Sequence, residues 1–206
     1  MSQKKPHNVG VPEWRENVFR NRGTLLALPA FALVAFGRPT AASIAFGLPL
    51  ALAGEALRCW AVGYSGVTTR SDAVTAPSLV TAGPYAHVRN PLYVGNFLTA
   101  LGFTVAFTGG LSRRGRATMT ALALGTMLGV YATIVPLEEA YLRKKFGPAF
   151  DEYAQRVPRL VPRLRPAEPQ RGSYDAGVIA QAETRTFAAF GAMVAALFFK
   201  VRRGGL

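Results

Sequence analysis

Apolar residues in this chain come in long blocks. Residues 90–111 and 117–137 carry no charged side chain, and each block is long enough to cross a hydrocarbon core of about 30 Å as a helix. Residues 41–64 form a third block, broken only by Glu55 and Arg58. A spacing of three puts those two on one helical face, where they can pair. A shorter block, 23–37, lies between Arg22 and Arg38 and spans only if those arginines snorkel to the interfaces. A signal peptide competes with that reading, but another apolar block follows at once and no clear cleavage context is present, so the block is read as mature structure. Thr186 to Phe199, between Arg185 and Lys200, predicts a further helix that either spans short or lies at the interface. The pattern is that of an all-α protein, a polytopic membrane helical bundle of about five transmembrane or membrane-associated helices.

The breaks between blocks order the helices. Gly37-Arg38-Pro39-Thr40 predicts a tight turn and an antiparallel hairpin of the first two helices. Gly109-Gly110 and the basic turn to Arg116 predict the same for the third and fourth. Gly125 and Gly129 have the small-residue spacing that allows close helix packing. The polar residues 1–22, with Trp14 and Phe19, read as a cytoplasmic arm resting at the interface. Residues 65–89 read as the first long cytoplasmic loop.

Composition changes this picture little. Hydrophobic content is 50% and net charge +13, yet the basic residues flank apolar spans and do not alternate with aromatics on a soluble face, which argues against nucleic acid. Positive-inside counting accounts for them with the N-terminus in the cytoplasm. Cys59 is the only cysteine, which excludes an internal disulfide or a cysteine metal cluster.

Chemistry concentrates at one junction. Thr81 to Asn96 runs Thr-Ala-Gly-Pro-Tyr-Ala-His-Val-Arg-Asn-Pro-Leu-Tyr-Val-Gly-Asn, a polar loop entering an apolar helix. Asn90-Pro91 reads as an N-cap and first helical position, and Arg89 beside that helix start suits an anionic group. Two crossings later the chain returns to the same face with Glu138-Glu139 and the segment to Pro158. Gly147-Pro148 is expected to separate two short helices. A Glu139 to Arg143 pair at i,i+4 is the plain reading of those acids. Two carboxylates at a membrane mouth are nonetheless costly unless paired or occupied by a cationic ligand.

Leu79-Val80-Thr81-x-Gly83-Pro84-Tyr85-x-x-Val88-Arg89-x-Pro91-x-Tyr93-x-Gly95, then Glu138-Glu139-x-x-Leu142-x-x-x-Phe146-Gly147 and Tyr153-x-x-Arg156-Val157-Pro158, resembles the isoprenylcysteine carboxyl methyltransferase and phospholipid methyltransferase superfamily over roughly residues 41–162. The resemblance implies an integral membrane enzyme with a cytosolic pocket for S-adenosylmethionine, in an inner membrane of bacterial or archaeal type, acting on a lipophilic or lipid-embedded acceptor. It places catalytic roles on Arg89, Glu138 and Glu139. Cofactor contacts fall on Tyr85, Val88, Asn90, Leu92, Tyr93, Glu138, Glu139, Tyr153 and Arg156. No metal is required, and no glycine-rich dinucleotide motif follows a strand. The implied division is an N-terminal arm 1–22, a methyltransferase domain 23–162, a Pro/Arg-rich linker 163–175 and an additional C-terminal membrane-associated helix 176–206.

A fixed arginine suits carboxyl methylation, because a carboxylate acceptor is already ionised at neutral pH while an ammonium acceptor must first lose a proton. Phospholipid amine methylation is the nearest alternative. The family usually has His where this chain has Asn90, which motivates a non-catalytic membrane scaffold as the reading from another class. Oligomeric state is left open by the sequence.

Overall fold

The computed structural model describes residues 12–66 and 76–204. The described residues contain helices and no strand: α1 (Glu13–Phe36), α2 (Ala41–Ser65), a one-turn 3-10 helix (Gly83–Ala86), α3 (Pro91–Thr108), α4 (Arg113–Phe146), α5 (Pro148–Arg156) and α6 (Gly177–Gly204). By length and hydropathy, α2, α3, α4 and residues 177–203 of α6 are long and apolar enough to cross a membrane. The protein is thus a polytopic helical bundle.

Helix α1 begins ten residues before the apolar block at 23, so the second half of the expected arm is helical. Glu13 and Glu16 lie in its first turn, where negative charge offsets the helix dipole. Part of the arm, residues 1–11, and part of the loop, residues 67–75, lie outside the described residues.

The α1–α2 hairpin forms as expected. Thr40 Oγ1 accepts from the Ser43 N–H at 3.1 Å and Ser43 Oγ from the Thr40 N–H at 2.9 Å, a reciprocal cap that starts α2 sharply. Helices α2 and α3 then approach backbone to backbone. A Cβ on Gly47 would lie 2.4 Å from the Gly102 carbonyl oxygen, and one on Gly54 would lie 2.5 Å from the Thr99 nitrogen. Gly125 and Gly129 have no neighbour within 4 Å of such an atom, and both are exposed. Close packing was expected at that pair; it occurs at α2 and α3, because the face of α4 that meets the bundle is the larger-residue stripe Met127, Val130, Tyr131, Ile134 and Val135, packed on α1 and α3.

Helix α4 runs through Pro136 to Phe146, so Glu138 and Glu139 ride on the last turns of one long helix and do not open a new one. The basic cluster at 113–116 is likewise its first turn. Helix α6 extends well beyond the apolar block at 186–199. Its 28 residues reach about 42 Å, and Leu197 joins Leu33, Phe103 and Phe107 in the core. Lys200 Nζ donates to the carbonyls of Ala35 and Gly37 at 3.2 and 3.0 Å. The end of α6 therefore sits with the α1–α2 turn, and Lys200, Arg202 and Arg203 join Arg38 and the 113–116 cluster at that end, which lessens the charge asymmetry counted from the sequence.

Residues 163–175 are laced to the chain before α3 and to the end of α2, and so are more than a linker. Arg163 N–H donates to His87 O (3.0 Å), Ala167 N–H to Ala86 O (2.9 Å), Thr81 N–H to Arg171 O (2.9 Å) and Asp175 N–H to Gly63 O (2.8 Å). Chain outside the helices thus satisfies its own backbone groups and walls one end of the bundle.

Candidate active site

Arg89 and Glu139 are brought together, as the topology requires. Arg89 Nε donates to Glu139 Oε1 at 2.9 Å and Nη2 to Oε2 at 3.3 Å. Its Nη1 donates to the carbonyls of Ala154 and Val157 at 2.8 and 2.6 Å. Four of the five guanidinium N–H groups are therefore engaged inside the chain. The junction was expected to present an anion site; Glu139 fills it. Arg159, absent from the expected set, donates Nε to Glu139 Oε2 at 2.9 Å.

Asn90 occupies the N-cap position of α3 but makes no capping bond there. Its Nδ2 donates to Glu139 Oε1 and to the Arg159 carbonyl, both at 3.1 Å. The expected Glu139–Arg143 pair is replaced as well, since Arg143 Nε donates to Asp151 at 2.7 Å.

Consecutive residues on a helix project about 100° apart, and this divides the two glutamates. Glu139 turns to the loop. Glu138 turns into the bundle, where it accepts from the Tyr93 hydroxyl at 2.8 Å and lines a cavity of about 950 Å³. Tyr85, Arg89, Leu92, Tyr93, Glu138 and Tyr153 reach the wall of that cavity. Val88, Asn90, Glu139 and Arg156 do not; Val88 is packed out of reach, and Arg156 is an exposed residue 3.9 Å from Glu152.

The loop wall is locked by its own chemistry. Gly83 has φ +60, and a Cβ there would strike the Tyr64 ring at 2.2 Å, so only glycine fits this turn. The Tyr153 hydroxyl donates to the Tyr85 carbonyl at 2.8 Å. Loss of solvent pushes the Tyr85 phenol up to about 12 and the Tyr153 phenol further in the same direction. Both stay protonated donors at neutral pH.

Deeper in the bundle lies a second arginine cluster. Arg58 of α2 donates Nη2 to both oxygens of Glu183 on α6, at 2.8 and 2.7 Å, and Nη1 to Asn96 of α3. Glu55, the partner expected from spacing, is 3.7 Å from Arg58 Nε. Asn96 follows Tyr93 by three and shares its face, a signal the sequence carried. Glu183 gave no such signal, because its partner is 125 residues away. Arg58, Asn96 and Tyr131 also line a smaller cavity of about 250 Å³. The rest of its wall is mostly apolar, including Leu33, Phe103, Met127 and Phe190, with Glu55 of α2, Thr99 and Thr186 as its polar members.

Residues 42–149 match the family described as phospholipid methyltransferase. The chain belongs to the phospholipid methyltransferase family. The match covers α2, α3 and α4, and leaves α1, most of α5, residues 163–175 and α6 outside it. The cobalt-zinc-cadmium resistance protein CzcN of Cupriavidus metallidurans is 40% identical over 87 residues, 42% of this chain and 37% of that protein. Protein-S-isoprenylcysteine O-methyltransferase B of Arabidopsis thaliana is 33% identical over 124 residues, 57% of this chain and 58% of that enzyme. Protein-S-isoprenylcysteine O-methyltransferase of Schizosaccharomyces pombe is 36% identical over 84 residues, 41% and 33% of the two chains. The chain thus spans from a third to little more than half the length of these relatives. No solved structure matches it.

Proposed function

We propose that this family member is a membrane methyltransferase that brings S-adenosylmethionine from the cytosolic side to a lipophilic acceptor, as the isoprenylcysteine carboxyl methyltransferases do. One observation carries the reading. A chamber of about 950 Å³, whose wall carries Arg20, Arg22, Arg89 and Glu138, shares Arg58, Asn96 and Tyr131 with a smaller, mostly apolar compartment inside the bundle. Such an arrangement suits a polar methyl donor and an acceptor with a hydrocarbon portion, which meet at that wall.

The residues present fit the donor. The chamber's volume lies within the range of small-molecule and cofactor sites. Glu138 offers a carboxylate to an ammonium group, and the Tyr93 and Tyr131 rings, with centroids 4.5 Å apart, offer π faces to a sulfonium. When bound, S-adenosylmethionine supplies an electrophilic methyl group, which passes to an acceptor oxygen as the sulfur–carbon bond breaks and a neutral thioether leaves.

The chain's own part is alignment, since an in-line displacement needs position more than acid or base power. Tyr93 holds Glu138 by a hydrogen bond to its carboxylate. Glu139 and two backbone carbonyls hold Arg89, which retains one N–H group for an acceptor carboxylate. Asn90 braces Glu139 where the family's usual histidine would stand, so the departure at this position is compatible with a working site.

Calorimetric titration of S-adenosylmethionine into detergent-purified protein tests the cofactor assignment. Saturable binding that Glu138→Gln weakens supports it; no binding to folded protein in native-like lipid overturns it. Transfer of a labelled methyl group to membrane lipid extract then separates the acceptors. Release by mild base marks a methyl ester, and base-stable label marks the phospholipid amine alternative, for which Glu138 is placed to take the acceptor's proton.

A further inference from the structure

One stretch of surface is ill suited to face water. Arg156 to Pro166 reads Arg-Val-Pro-Arg-Leu-Val-Pro-Arg-Leu-Arg-Pro, four arginines and no acid. Val157 turns inward and packs with Phe150 and Tyr153. Leu160, Val161 and Leu164 turn outward, 42, 77 and 98% exposed, between Arg159, Arg163 and Arg165. Bare aliphatic side chains alternating with cations, of which Arg159 also holds Glu139, are the pattern of interfacial segments.

Hydrogen bonds set the depth of this stretch. The Pro158 carbonyl accepts from the Arg89 N–H at 2.8 Å, and the Arg159 carbonyl accepts from Asn90 Nδ2 at 3.1 Å. Asn90 directly precedes Pro91, the first residue of a helix long and apolar enough to span. With about 3.5 Å per extended residue, Leu160 and Val161 lie within about 10 Å of the level at which α3 enters the hydrocarbon.

We propose that residues 159–165 form an interfacial anchor: Leu160, Val161 and Leu164 enter an anionic bilayer leaflet while Arg163 and Arg165 lie among lipid phosphates. Charge favours this occupant over a second copy of the chain, because two such cationic segments repel each other. The anchor has a consequence for the chamber wall. Arg159 belongs to the same segment and holds Glu139, so a seated anchor steadies the Arg89 cluster from outside. The assignment is independent of the proposed methyl transfer.

Leu164 is almost fully exposed, so a cysteine there removes no internal contact. The full chain carrying Leu164→Cys and Cys59→Ala is labelled with an environment-sensitive fluorophore and reconstituted in liposomes of phosphatidylcholine with or without phosphatidylglycerol. A label at Glu152→Cys, on the exposed face of α5, is the control. The expected result is quenching at 164 by lipids bearing a nitroxide near the headgroup, strongest with phosphatidylglycerol, and little at 152. Arg165→Gln should lower the ratio of seated to unseated label about fivefold in anionic liposomes. Equal quenching of both labels by aqueous iodide overturns the proposal. So does protection at 164 without quenching by lipid nitroxide, the outcome that contact with a second copy would give.

Discussion

Two buried arginines serve this protein in different ways. Arg58 sits inside the bundle with its side chain 8% exposed, against a Glu183 carboxylate that is 1% exposed, and its hydrogen-bond partners are side chains of α3 and α6. Arg89 sits where the chain leaves the bundle. Its carboxylate, Glu139, is nearly as buried, but a third member, Arg159, is half exposed, and two of its acceptors are backbone carbonyls. The same ion-pair chemistry therefore does different work. Within the bundle it pins α6 to α2 and α3, and truncation of one member of such a pair is costly because the other's desolvation is no longer offset. Both arginines line the chamber, but at the junction the cluster organises non-helical chain, so its loss should be felt in function more than in stability.

The largest test of that contrast is Arg58→Ala, which should destabilise the purified protein by about 3–5 kcal/mol, read as a lower midpoint in chemical denaturation. A double Arg58→Met, Glu183→Leu variant that recovers most of that loss would show that the pair secures α6 by exclusion of alternatives and adds little net stability; a double variant as unstable as the single would assign it a net stabilising role. Next in size, Glu139→Gln should lower methyl transfer about 100-fold through misplacement of Arg89, with a smaller change in denaturation midpoint than Arg58→Ala gives. An equal or larger midpoint change would erase the distinction between the two clusters.

Glu138→Gln probes the neighbour that turns the other way. It should weaken S-adenosylmethionine binding about tenfold, as expected for one charge-assisted contact, and leave the midpoint nearly unchanged; unaltered affinity would remove Glu138 from the donor site. The smallest effect belongs to Arg159→Ala. A half-exposed ion pair contributes at most about 1 kcal/mol, and even that should fade as salt is raised, whereas the deeply buried Arg58 pair should show a much weaker salt dependence. The measurement is the denaturation midpoint of each variant at low and high ionic strength.

Much of this was legible in order along the chain. Charge-free blocks gave α3 and the core of α4, and the paired motifs named both halves of the junction cluster. Where the reading fell short, geometry was the reason. A glycine pair in α4 has the right spacing but faces away from the bundle, while the close approach is made by Gly47, Gly54 and Gly102, which lie in register only once α2 and α3 are docked. Asn90 has the identity of a cap, but its amide is turned so that Nδ2 donates to Glu139 and the Arg159 carbonyl, and its oxygen makes no capping bond. Hydrophobicity marks only residues 186–199 within the C-terminal helix expected over 176–206, and it is the polar first turns of α6 that deliver Glu183 to Arg58.

By itself the sequence determined that the chain is a membrane bundle, which hairpins it contains, and that Arg89 and the two glutamates share one face, because hydrophobic length and short turns leave few alternatives in a bilayer. Only the tertiary structure decided which glutamate holds the arginine and which enters the chamber, and only it placed Arg58 against Glu183. Those outcomes depend on helix rotation and on contacts between residues far apart in sequence. No local period encodes either one, and both are settled together when the helices pack.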